Sequence, residues 1–97
     1  MGEYKTSKLE SSLKKKGFEL EVNDHRYYYF YWENEKLSTI FTYVSHSETN
    51  FNEFLLNQRR KQLCLNNKQQ MIDFINCPMS KENYKEHLIK IKKINEG

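Results

Sequence analysis

Apolar positions along the chain change from helical spacing to alternation and back to helical spacing. Leu9 and Leu13 stand four apart among lysines and serines, the spacing of one helix face, and Ser7 three residues before Glu10 matches a capping box. A helix is therefore predicted from about residue 7 to Lys16. Gly17 follows, placed to end it, because glycine takes the left-handed conformation at little cost. Phe18-Glu19-Leu20-Glu21-Val22 then alternates apolar and acidic side chains, the mark of a half-buried strand. Asn23 and Asp24 are turn formers, and His25 to Trp32 has the aromatic richness of a second strand. Glu33 to Lys36 form the next turn, and Leu37 to Ser45 a third strand. Strands joined by short turns predict an antiparallel meander.

Helical spacing returns after a polar break at Ser47 to Asn50, which offers several N-caps. A helix is predicted over about Phe51 to Leu63. Asn66 and Gln69 repeat a weaker capping pattern before Met71, Ile72, Phe74 and Ile75, which indicate a short helix ended by Pro78. Ser80 caps a last helix with Tyr84, Leu88, Ile91 and Ile94 on one face. The order αβββα plus two C-terminal helices predicts an α+β fold, a three-stranded antiparallel sheet with helices on one face. At 97 residues, 1–97 reads as a single domain.

Strand alternation sorts the aromatic run into two faces. Arg26, Tyr28, Phe30 and Trp32 point one way, and Tyr27, Tyr29 and Tyr31 point the other with His25. A two-residue first turn puts Phe18, Leu20 and Val22 with the His25 face, and a three-residue turn puts them with Phe30. The second is favoured, since Phe30, Trp32, Leu37 and Phe41 form the more apolar set. An even-length second turn sets Trp32 near Leu37 and His25 opposite Val44. His25 and His46 then become diagonal neighbours at one end of the sheet, roughly 7 Å apart. An odd turn separates them onto opposite faces.

Composition narrows the classes. Sixteen basic against thirteen acidic residues give +3, which permits nucleic-acid binding without demanding it. Cys64 and Cys77 are too few for a disulfide framework and form no CxxC, so both are expected reduced and mostly buried. No apolar run resembles a signal peptide or reaches the ~20 residues of a membrane span, so a cytoplasmic location and no membrane partner are expected. His25, His46 and His87 match no zinc spacing, and neither a P-loop nor a nucleophile elbow is present. No metal or other cofactor is expected. Lys14-Lys15-Lys16 and Arg59-Arg60-Lys61 read as phosphate-binding faces or, more plainly, as solvated helix surface.

Two neighbouring histidines suit RNA cleavage, one taking the proton of the ribose hydroxyl and the other protonating the leaving oxygen, because imidazole titrates near neutrality. His25 and His46 are the candidate pair, and Arg26 a candidate phosphate contact. Aromatic side chains on the solvent face of the sheet offer a surface on which bases stack.

The stretch KLESSLKKKGFELEVNDHRYYYF, followed by a third strand with His46 at its end and then a helix, resembles the HicA toxins of toxin–antitoxin systems. The resemblance covers residues 7–63, with 64–97 as a C-terminal helical extension. It implies a double-stranded-RNA-binding-like αβββα fold, endonucleolytic cleavage of mRNA, and neutralisation by a HicB-like antitoxin. The family's catalytic histidine maps onto His25, and His46 takes a supporting place. Where the family commonly has Gly-Ser before its histidine, this chain has Asn23-Asp24. A non-catalytic RNA-binding module of the same fold, and a protein-interaction domain of a mobile element, are the alternatives.

Overall fold

Pairing of two short segments from distant parts of the chain sets where the first helix begins. The computed structural model describes residues 3–76 and 78–93. Its elements are β1 (Tyr4–Lys5), α1 (Thr6–Lys15), β2 (Phe18–Val22), β3 (Arg26–Trp32), β4 (Glu35–Val44), β5 (Asn50–Phe51), α2 (Glu53–Gln62), α3 (Lys68–Asn76) and α4 (Lys81–Lys90). β2, β3 and β4 form an antiparallel sheet in that order, and β1 pairs with β5. The fold is α+β, with the expected three-stranded sheet.

The capping box expected at Ser7 does not form. Lys5 is the N-cap of α1 and makes no side-chain cap bond. Tyr4 and Lys5 are held against Phe51 and Asn50, and the Thr6 N–H donates to Thr49 O at 3.0 Å. Ser7 is thereby drawn inside the helix. Gly17, at φ +96°, follows the last turn as expected.

Residues 23–25 make a three-residue first turn, closed by the Asn23 N–H donating to His25 O at 2.9 Å. Phe18, Leu20 and Val22 therefore share a face with Phe30, Tyr28 and Arg26, the arrangement favoured from the apolar pattern. The second turn differs from expectation. Glu33 and Asn34 both have positive φ, 51° and 66°. That is the backbone of a two-residue type I′ hairpin turn, and it pairs Trp32 with Glu35 rather than Leu37. The register then breaks between Tyr29 and Phe30: Phe30 pairs with Leu37 but Tyr29 with Phe41, leaving Ser38, Thr39 and Ile40 without one-to-one partners. Beyond this irregularity Arg26, not His25, faces Val44. Phe41 is carried to the Tyr27–Tyr29 face, away from the Phe30 set with which it was grouped.

Helices cover the other face. Tyr28, Phe30 and Phe18 are buried with Leu9 and Leu13 of α1, Phe74 of α3, and Tyr84 and Leu88 of α4. The Tyr84 ring meets Phe74 at 5.1 Å, Phe30 at 5.5 Å and Phe18 at 5.8 Å between centroids. Residues after 63 thus complete the core, since aromatic clusters of this kind contribute beyond their buried area. Their helices start as residue chemistry dictates. The Asn67 side chain accepts from the Gln70 N–H at 2.9 Å, one residue past the expected Asn66, and Ser80 and Asn83 form a reciprocal capping box. For α2 the cap is Asn52, accepting from the Leu55 N–H at 3.0 Å, rather than a residue of 47–50. Cys64 is half-buried and unpaired, and burial pushes its thiol up. Cys77 and Ile94 lie outside the described residues. No helix of the described residues is long and apolar enough to cross a membrane.

Candidate functional site at the histidine end of the sheet

His25 closes the first turn and immediately precedes β3. Its ring lies on Tyr43 of β4 (centroids 5.2 Å apart, planes 23° from parallel) and within 6.2 Å of Tyr27. The sheet end and α2 enclose a cleft of about 260 Å³. His25, Tyr43 and Ser45 line it from the sheet; Leu55, Gln58 and Gln62 line it from one stripe of α2; the Glu48–Arg59 pair forms the remaining wall. The helix spacing of 55, 58, 59 and 62 turns those four side chains the same way.

His46 comes to the same end of the sheet but not into the cleft. Its Nε2–H donates to Asn23 O at 3.1 Å, on the turn that carries His25, and its ring is exposed. β4 ends at Val44 opposite Arg26, so the chain leaves the sheet just before His46.

Arg59 grips Glu48 with both arms, Nη1 to Oε2 at 2.7 Å and Nη2 to Oε1 at 2.8 Å, and lies 4.8 Å from the Phe51 ring centre. The Thr6 hydroxyl donates to Glu48 Oε2 at 2.8 Å, and the Ser45 N–H to Oε1 at 3.3 Å. Desolvation alone would raise the Glu48 carboxyl. The hydrogen bonds from Arg59 and Thr6, with the Arg59 charge, outweigh it and hold Glu48 below the usual carboxylate range. Arg59 is therefore a fully engaged, buried residue, and the charges of this wall cancel.

The other cations expected near phosphate are dispersed. Arg26 sits on the helix side of the sheet, bridged to Glu10 at 2.7 Å. Glu10 also accepts from the Tyr28 hydroxyl at 2.8 Å, and burial, then this bond, pushes the phenol up to about 12. Lys16 is buried, with its ammonium 4.8 Å from the Phe74 ring centre. Arg60 donates to Leu65 O at 3.0 Å. Lys14, Lys15 and Lys61 are exposed. His87, half-buried, donates to Cys64 O at 2.7 Å and serves packing.

The uncovered face of the sheet is a continuous aromatic layer. Tyr27 and Tyr29 stack at 6.1 Å, Tyr29 and Phe41 at 5.6 Å, and Tyr27 and Tyr43 meet at 5.4 Å. Lys36 lies over Tyr29 at 4.2 Å and bridges to Glu21 at 2.8 Å. Sequence reasoning did not single out Tyr43, Gln58 or Gln62. A helical wheel of α2 shows the two glutamines on one stripe, but nothing local to α2 says that this stripe faces His25.

Comparison of the chain with family models, with curated protein sequences and with solved structures found no match.

Proposed function

We propose that the chain is a HicA-like endoribonuclease that cleaves mRNA by histidine acid/base chemistry and is held inactive by a HicB-like antitoxin. The observation that carries this reading is the placement of His25. It heads an aromatic strand, is steadied by Tyr43, and opens into a cleft of about 260 Å³ at the end of the sheet. The αβββα order over Thr6–Gln62, with helices on one face, supports the double-stranded-RNA-binding-like fold that the resemblance implies.

His25 takes the proton of the ribose 2′-hydroxyl. The 2′-oxygen attacks the adjacent phosphorus, and the 5′-oxygen of the next nucleotide leaves and is protonated. The products are a 2′,3′-cyclic phosphate and a free 5′-hydroxyl. His46, across the same turn, is the candidate donor to the leaving oxygen. No metal ion is needed for this chemistry. Lys14, Lys15 and Lys61 supply exposed charge for the RNA backbone.

A second reading, an RNA-binding module without catalysis, is favoured by one observation. His46 is bonded to the Asn23 carbonyl, which leaves His25 as the lone imidazole of the cleft. A labelled RNA incubated with the protein in EDTA separates the two. Fragments ending in cyclic phosphate support the ribonuclease. Intact RNA that still shifts in a gel, with a strong dependence on salt, supports the module.

A further inference from the structure

We infer that the cleft beside His25 is a pocket for one unpaired nucleobase, with Tyr43 as its aromatic wall and the carboxamides of Gln58 and Gln62 reading the polar edge of the base. The inference deepens the ribonuclease reading and takes its substrate class from it.

Size points to a single ring system. The cleft holds about 260 Å³, below the ~300 Å³ at which pockets for drug-sized ligands begin. Charge points the same way. The cation of the cleft, Arg59, is neutralised by the bidentate bond to Glu48, so the wall offers no net charge to an anion. A phosphate finds no free lysine or arginine among the described residues that line it, whereas a neutral, flat, polar ring meets only a buried ion pair whose charges already cancel. Tyr43 and Leu55 supply the apolar walls such a ring needs.

The polar groups are those that discriminate bases. Gln62 has one end of its carboxamide fixed by the Thr42 hydroxyl at 2.7 Å. Whichever way the amide is turned, its other polar atom has no partner among the described residues and is left for a ligand. Gln58, one turn earlier on α2, is exposed, and its side chain makes no hydrogen bond among the described residues. A carboxamide that donates and accepts side by side matches paired donors and acceptors on a base edge. Because α2 closes one side of the cleft, a base enters only after leaving its stack and its Watson–Crick partner. Unpaired RNA is accordingly the form this site takes, with the phosphodiester at the mouth beside His25.

The test is a titration of the full-length protein with the nucleoside monophosphates AMP, GMP, CMP and UMP, and with ribose 5-phosphate as the base-free control. NMR signals of Tyr43, His25 and the Gln58 and Gln62 side-chain amides report occupancy. One or two of the four nucleotides should bind tightest and shift these signals, while ribose 5-phosphate leaves them in place. Gln58→Ala and Gln62→Ala, both outside the buried core, should each lower affinity for the preferred nucleotide by roughly 5- to 100-fold, and should relax base preference at the cut site in RNA. Equal response to ribose 5-phosphate, absence of shifts at millimolar nucleotide, or unchanged preference in both variants would overturn the inference. Base binding in the cleft by a protein that never cuts RNA retains the pocket and removes the ribonuclease. Cleavage whose base preference survives both glutamine changes retains the ribonuclease and removes the pocket.

Discussion

His25 lies against Tyr43 with ring centroids 5.2 Å apart and planes 23° from parallel. One residue comes from a turn, which by itself holds a side chain loosely, and the other from a paired strand position opposite Tyr27. The contact lends the rigidity of the sheet to the turn. Tyr43→Ala should therefore lower RNA cleavage by about 10- to 100-fold with His25 still present, because small misplacements of a reacting group cost that much. Tyr43→Phe keeps the ring and should stay within about two-fold of wild type. Single-turnover rates on one labelled RNA measure both.

The Glu48–Arg59 pair fixes the wall of the cleft and gives stability a defined pH dependence. The folded carboxyl of Glu48 titrates below its unfolded value, so its contribution is full above the ordinary glutamate range and is lost as pH falls through the depressed folded value. Urea unfolding at stepped pH should show wild-type stability falling in acid, and Glu48→Gln should flatten that fall. At neutral pH Glu48→Ala should cost about 3–5 kcal/mol, since it leaves a buried guanidinium without its partner.

Gly17 ends α1 at φ +96°, and a Cβ there would stand 3.3 Å from Lys81 Cε and 3.5 Å from the Phe30 ring. The lysine can move, but the backbone conformation cannot be relieved. Gly17→Ala should destabilise by about 1–2 kcal/mol, read as a lowered midpoint in thermal or urea unfolding with the circular dichroism of the folded state unchanged.

Tyr84 joins the last helix to the core by more than its ring. Its buried hydroxyl donates to Leu63 O at 2.8 Å. Tyr84→Phe keeps the aromatic cluster and leaves that carbonyl unmet, so the loss should be about 1–3 kcal/mol. Chemical denaturation of the two proteins side by side gives the value.

Much of this architecture is legible in the residues, and the failures have physical causes. Gly17, the Ser80 cap and the apolar choice between two first turns all act locally, and each appears where the pattern places it. The β1–β5 pairing has no such pattern, because two residues show no alternation; it is what removed the capping box from Ser7. The break at Tyr29–Phe30 is equally silent, and it moved Phe41 across the sheet and shifted the partner of Val44 from His25 to Arg26. Within the basic clusters, the helix register separates buried cations from exposed ones. Lys16 stands seven residues after Leu9 on the buried stripe of α1, and Arg59 stands between Leu56 and Leu63 on that of α2. Both are buried for that reason, while their sequence neighbours stay exposed or half-exposed. The cleft depends on how α2 docks against the end of β4, a tertiary relation with no local signature.

The most direct measurement is the cleavage rate of a labelled RNA by wild type, His25→Ala and His46→Ala, each first confirmed as folded by circular dichroism. The account predicts cutting by wild type, loss of cutting to background in His25→Ala, and a smaller reduction in His46→Ala, whose ring lies outside the cleft. Equal rates for wild type and His25→Ala, or no cleavage by the folded wild type, would contradict it.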